Sequence, residues 1–287
     1  RYLSAFRRAL DLHEEALELS QKINNKEFEV FSLNMIGVVY RRTDAIKTAL
    51  DYSQRALEVA ESIDEPSVHI KRNINVALNS IGNLYKLLGQ YDLAIAQFER
   101  ALALEGDLNN KLGLAINNQN IGDCLEQKGD LDRALAQYQK ALVINEDISN
   151  NYGKVFSKNG IAQVYLKKEK YKEALSILEK LAKPVSDIKD KLIWSVVLIN
   201  TGWANMELGN LPKAEENMQH GLKMAIENSL SRNVVYANRL LSQLETKREN
   251  YKKALAYYQE AEEFEKDIKD ERNLRYINDL ILRYESE

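Results

Sequence analysis

What this chain has little of narrows its possibilities before any motif is considered. Its 287 residues include one cysteine, three prolines, twelve glycines and three histidines. A single thiol closes no internal disulfide, so no disulfide framework holds the fold together. So few prolines and glycines mean few tight turns, which argues against turn-dense β architectures and for long helices. The formal net charge is only −3, with both signs interspersed, so the broad basic footprint of a nucleic-acid binder is absent. No run of 18 apolar residues and no secretory leader is seen in the sequence, and none of it reads as a membrane span. His13, His69 and His220 have no Cys or His neighbour at ligand spacing, so no metal site is expected. Neither a GxxxxGKS/T phosphate loop nor a GxSxG elbow occurs. The chain is read as non-enzymatic and without a cofactor, any catalytic domain lying outside it.

What is present is a repeat. Ala9, Ala49, Ala94, Ala134, Ala174, Ala214 and Ala254 follow one another at steps of 40, 45, 40, 40, 40 and 40. Seven residues after six of these stands another small residue: Ala16, Ala56, Ala101, Ala141, Gly221 and Ala261. Twelve residues before each of the last six is Gly37, Gly82, Gly122, Ala162, Gly202 or Ser242. Such a register reads as pairs of antiparallel helices, with small residues where two helices approach closely and large ones filling the space around them. Gly89, Gly129 and Gly209 fall at the break inside a pair, suited to a left-handed helix stop. Pro212 falls where the next helix begins, which suits its missing N–H. Between pairs run "INNKE", "IDEP", "LNNK", "ISNN", "IKDK" and "IKDE", whose Asn and Asp can cap the following helix. Helices of about 17 residues, roughly 26 Å, result.

The register of "IGNLYKLLGQYDLAIAQFERAL" at 81–102 resembles the tetratricopeptide repeat, stretched from the common period of about 34 to 40. The longer form is similar to repeats of spindle-orientation scaffolds, kinesin light chains and bacterial signalling proteins. The resemblance covers essentially the whole chain. It implies an all-α, right-handed α-solenoid of about seven helix-turn-helix repeats. One solenoid over 1–287 is expected, with a half repeat at 1–23, units at 26–63, 66–107, 109–147, 150–187, 190–227 and 230–268, and a capping or juxtamembrane helix at 270–287. The last unit is degraded, with Ser242 and Glu245 at its small and aromatic positions, as end repeats are. The excess of five residues between units two and three falls in "DEPSVHIKRN", a longer loop or helix start.

Cys124, flanked by Asp123 and Glu126, could be a nucleophile or a ligand. Its equivalents in other units are Val39, Leu84, Val164, Ala204 and Leu244. All are apolar, so the slot faces the core and the thiol is packing.

In the resembled family the first helix of each pair lines a concave groove that binds extended peptides or helices. Positions three before the glycine and one, four and five after it should then point inward. Three before stand Asn34, Asn79, Gln119 and Asn159, followed by Ile199 and Arg239; one after stand Val38, Asn83, Asp123, Gln163, Trp203 and Gln243. This is an amide ladder, able to pair with the backbone of an extended peptide; the plainer reading is that exposed helix positions are polar. Arg41, Arg42 and Lys86 make the N-terminal part of the groove basic, while Asp123 and Glu126 make its middle acidic. The Arg, Asn and Lys set loosely resembles the carboxylate clamp of chaperone-binding relatives. Trp203 and Met206 offer an apolar pocket, with Trp203 either an exposed anchor or a packed side chain.

After the last repeat, "DIKDERNLRYINDLILRYESE" at 267–287 carries apolar residues at Leu274, Ile277, Leu280, Ile281 and Tyr284. Its pattern looks like the segment joining tetratricopeptide arrays to a membrane helix in sensor histidine kinases of Bacteroidetes-type bacteria; it also suits a capping helix. The leading expectation is the periplasmic sensor array of a membrane-anchored two-component protein. Ligand binding would change the superhelix pitch and move the last helix, with the span outside this chain. The alternative is a cytosolic adaptor or peptide-responsive regulator. Either binds a protein or peptide, not nucleic acid, and the oligomeric state is left open.

Overall fold

The computed structural model describes the backbone of residues 2–42 and 45–286, and side chains over 6–42 and 45–269. These residues form thirteen helices: α1 (Tyr2–Lys22), α2 (Lys26–Arg42), α3 (Ile46–Glu61), α4 (Val68–Leu87), α5 (Tyr91–Asp107), α6 (Lys111–Lys128), α7 (Leu131–Asp147), α8 (Asn151–Lys167), α9 (Tyr171–Ile188), α10 (Lys191–Glu207), α11 (Leu211–Glu227), α12 (Ser231–Lys247) and α13 (Tyr251–Ser286). No strand occurs among the described residues.

The helix ends follow local chemistry. Gly89, Gly129 and Gly209 have φ of 74°, 83° and 83°, the left-handed stop that a residue without Cβ takes at least cost. Glu169 and Glu249 occupy the same slot at φ 59° and 60°, where a side chain is disfavoured. At the other type of turn a left-handed Asn24, Asn109, Ser149, Lys189 or Ser229 ends one helix, and after the first four a polar side chain caps the next. Asn25 accepts from Phe28 N at 3.2 Å, Asn110 from Gly113 N at 3.3 Å and Asn150 from Gly153 N at 3.2 Å. Asp190 accepts from Leu192 N at 2.9 Å. Pro212 sits in the first turn of α11. The five extra residues are shared: the loop before α4 spans 62–67, and α4 itself has 20 residues against 17 in most of the later helices. Ser67 caps α4, accepting from Ile70 N at 3.2 Å.

The expected break at 268–271 is absent, and α13 runs unbroken for 36 residues. It contains neither Gly nor Pro, and the Asp there is joined by no left-handed residue of the kind that ends the other helices. The side chains of Leu274, Ile277, Leu280, Ile281 and Tyr284 lie outside the described residues.

The chain divides into two compact units, Arg1–Lys128 with Arg272–Glu287, and Gly129–Glu271. In the first, each helix from α1 to α6 packs on its sequence neighbour, and α2 also packs on α4. In the second, α7 to α12 do the same, and α8 packs on α10 and α10 on α12. Even-numbered helices therefore lie side by side, α2 with α4 in the first unit and α8, α10 and α12 in the second. The close approach depends on the small residues. A Cβ on Gly82 would lie 2.7 Å from Phe98 Cε1, and Ala49, Ala94, Ala134, Ala174 and Ala214 are all fully buried. In α1, which has no helix packed ahead of it among the described residues, the corresponding Ala9 is half-buried and Ala16 exposed. The core of the first unit gathers Leu33, Ile36, Leu57, Leu78 and Ile81. Core clusters of the second unit gather around Leu166, Leu178 and Val197 and around Ile199, Met218 and Leu241.

Candidate functional site

The inward positions of the even-numbered helices separate into clasps and an open pocket. In the first unit Asn34 is buried, and its Nδ2 donates to Asn73 O at 3.0 Å, tying α2 to α4. Lys86 Nζ pairs with Asp123 Oδ2 at 3.0 Å, with both side chains half-buried. The basic and acidic stretches expected along the groove thus meet at this point as an ion pair between α4 and α6. Gln119 and Glu126 are buried and have partners of their own, so neither presents a free surface. Arg42 is exposed.

What stays open lies between α2 and α4. A pocket of about 600 Å³ is lined by Val38 and Arg41 of α2, by Val68, Arg72, Asn75, Val76, Asn79, Ser80 and Asn83 of α4, and by Glu105, Leu108 and Asn110. Asn79 and Asn83 are half-buried. Their Nδ2 groups donate back along α4, to Asn75 O at 3.0 Å and Asn79 O at 2.8 Å. Glu105 is buried at the end of α5. Burial pushes its carboxyl above the usual carboxylate range, opposed by a hydrogen bond from Asn110 and by the Arg72 charge. Gly113 makes the room for it, since a Cβ there would lie 2.7 Å from Glu105 Oε2 and still closer to its other carboxyl atoms.

In the second unit the ladder is a relay. Asn159 is buried and its Nδ2 lies 3.4 Å from Gln163 Oε1. Asn159 Oδ1 accepts from Asn200 Nδ2 at 3.0 Å, and Asn200 Oδ1 accepts from the Tyr236 hydroxyl at 2.8 Å. Buried amides on α8 and α10 and a half-buried tyrosine on α12 are thereby linked. Met206 is 1% exposed; it belongs to the core and forms no groove pocket. Its position, four after Gly202, is turned toward α11 and α12 rather than outward. Trp203 is half-buried against both clusters of this unit, which decides for a packed side chain. Gln243 is exposed.

The first unit therefore brings Arg41, Asn79 and Asn83 together at one pocket. Arg72, Asn75 and Glu105 in that pocket, and Asn200 and Tyr236 in the relay, were not among the sequence candidates. Asn75 did leave a signal. Seven residues before the small residue of each unit stand Val30, Asn75, Ala115, Val155, Ser195 and Val235, and an amide among them is out of place. Cys124 is fully buried, and burial pushes its thiol up to about 11 despite the pull of Lys86, so the thiolate needed for chemistry is suppressed. Among the described residues no three His, Cys, Asp or Glu side chains converge as metal ligands, and no helix is long and apolar enough to cross a membrane.

A family model described as Tetratricopeptide repeat matches residues 2–62, 73–147 and 114–183. No curated protein matches the chain. Among solved structures, the apo form of RapI has a TM-score of 0.78 at 16% identity, over 93% of this chain and 72% of its own. A Rap protein complexed with competence and sporulation factor has a TM-score of 0.69 at 16% identity, over 94% of this chain and 73% of its own. NprR in complex with its cognate peptide NprX has a TM-score of 0.68 at 15% identity, over 97% and 84%.

Proposed function

Because the chain belongs to the tetratricopeptide repeat family, we propose that it is the recognition array of a peptide-responsive regulator. An extended peptide lies on the even-numbered helices of the first unit and is gripped at the pocket between α2 and α4. The observation that carries this reading is the disposition of Asn79 and Asn83. Their N–H groups are tied back to α4, so the side-chain oxygens are held in place to accept from a peptide backbone that supplies N–H at regular intervals. Pre-set acceptors lose little side-chain entropy on binding. The complexes of a Rap protein with competence and sporulation factor and of NprR with NprX support the reading from the same fold.

Of the two regulators the sequence suggests, this is the peptide-responsive one. The membrane-anchored sensor rested on the pattern at 267–287, most of whose side chains lie outside the described residues.

The test is a library of linear hexapeptides with N-acetyl and C-terminal methylamide ends, incubated with the chain, recovered and identified by mass spectrometry. Enriched sequences should bind with a dissociation constant that rises at least tenfold in the Asn79→Ala, Asn83→Ala double variant. Failure to enrich any sequence, or affinity indifferent to both substitutions, would refute the proposal.

A further inference from the structure

The pocket between α2 and α4 carries more information than its two ladder residues. Asn75 is 5% exposed, and neither its Nδ2 nor its Oδ1 has a hydrogen-bond partner. Arg41 Nε and Glu105 Oε2 are buried and unpaired as well. All three residues line the same pocket. Unpaired buried atoms occur elsewhere in the chain, at Asn117 Oδ1 and at both side-chain atoms of Asn238 for example. What distinguishes this place is their convergence on one cavity.

The repeat offers an internal comparison. The slot of Asn75 is filled in the other units by Val30, Ala115, Val155, Ser195 and Val235, all buried. The one other polar occupant, Ser195, is fully paired: its hydroxyl donates to Leu192 O at 2.9 Å and accepts from Asn233 Nδ2 at 2.6 Å. Packing therefore prefers an apolar or internally satisfied residue here, and an unpaired amide is a departure that packing does not explain.

The chemistry of the unpaired atoms says what would complete them. Asn75 lacks an acceptor and a donor partner at once, Arg41 Nε lacks an acceptor, and Glu105 Oε2 lacks a donor. A group that presents one carbonyl oxygen and one N–H₂ side by side meets all of these demands. A carboxylate supplies acceptors alone and leaves Asn75 Oδ1 and Glu105 Oε2 without donors; an ammonium supplies donors alone and leaves Asn75 Nδ2 and Arg41 Nε without acceptors. We propose that this pocket is a selectivity subsite for a primary carboxamide, the side chain of an Asn or Gln in the bound peptide. The amide plane of Asn75 turns toward the ligand about χ2, a torsion with a broad and shallow profile. Val38, Val68, Val76 and Leu108 give the approach an apolar lining.

This inference rests on the peptide reading above, and the same library separates the two. Because its ends are acetyl and methylamide, the only primary carboxamides present are Asn and Gln side chains. At one position of the enriched hexapeptides, Asn or Gln should be favoured over Leu, Asp and Glu by at least tenfold. The Asn75→Val variant, carrying the residue its sister repeats use, should reduce that preference to less than twofold, through weaker binding of the Asn- or Gln-containing peptide and not of the Leu-containing one. Asn75→Ser gives a second route if the valine variant packs poorly, and circular dichroism reports folding of both. Peptides that bind with no Asn or Gln preference, or with a preference for Asp or Glu, overturn the subsite and leave the peptide-responsive reading standing. A preference that survives in both variants overturns it too. An empty enrichment removes both readings.

Discussion

Replacing Gly153 with isoleucine should destabilise the second unit unless Asn145 is changed with it. Asn145 is 1% exposed. Its Nδ2 donates to Ala141 O at 2.9 Å and lies 3.4 Å from Ser157 Oγ, while its Oδ1 accepts from Asn150 Nδ2 at 2.8 Å. A Cβ at 153 would overlap Asn145 Cγ and Oδ1 and lie 2.6 Å from Asn150 Nδ2. The amide must leave, stranding buried donors and acceptors at about 1–3 kcal/mol each. The gain from replacing a helical glycine returns at most about 1 kcal/mol. A net loss of about 2 kcal/mol or more follows for Gly153→Ile alone. One repeat later the equivalent pair is Val185 and Ile193, both buried, so the site accepts an apolar pair when both members change. Asn145→Val with Gly153→Ile should recover to within about 1 kcal/mol of the parent, a coupling of about 2 kcal/mol in a double-mutant cycle. Urea unfolding followed by far-UV circular dichroism measures it, with the slopes checked because repeat arrays can lose two-state behaviour. Single-variant losses that simply add, within about 0.5 kcal/mol, would refute the argument.

Three further outcomes follow from the same structure. Glu169→Gly and Glu249→Gly relieve left-handed residues at φ 59° and 60° and should each raise the urea midpoint by the equivalent of about 1 kcal/mol; an unchanged or lower midpoint counts against the turn assignment. The Cys124 thiol, raised to about 11 by burial from its ordinary 9.0, should react with a disulfide reagent at pH 8 only after denaturant is added. Because the folded pKa is the higher one, its contribution to stability is present below pH 9 and is lost as pH rises toward 11; rapid native labelling would contradict its burial. Glu105, whose carboxyl is raised above 4.5 by burial, favours folding when protonated and costs stability when ionised. Glu105→Gln should therefore stabilise at pH 7 by more than it does at pH 4, and equal gains at both would show that burial does not set the titration.

How much was legible in the sequence depended on whether a feature recurs. The spacing of Ala49, Ala94, Ala134, Ala174 and Ala214 dictated helix pairing, because close helix approach tolerates only small side chains and their periodicity survives every other change. Gly89, Gly129, Gly209 and Pro212 announced their helix ends because backbone φ and a missing N–H are local properties. The slot comparison also sufficed for Cys124. Partnership was another matter. Lys86 and Asp123 were read as opposite charges along a groove, yet they are 37 residues apart and become an ion pair only when α4 and α6 are packed. Asn159 carries the same amide chemistry as Asn79 and Asn83, but sequence spacing cannot distinguish an amide whose oxygen is taken by a neighbouring helix, as Asn159 Oδ1 is by Asn200, from one whose oxygen is left to a ligand. Met206 stands at a nominally inward position, but that slot faces the core, as the burial of Leu166 and Glu126 at the same position also shows. The amino-acid sequence by itself determined the repeat, its helix pairs and the helix ends marked by Gly, Pro and capping residues, because these follow from local sterics and periodicity. Only the tertiary structure decided which polar side chains were satisfied and where the unsatisfied ones converged, because hydrogen bonds and desolvation depend on neighbours brought from tens of residues away.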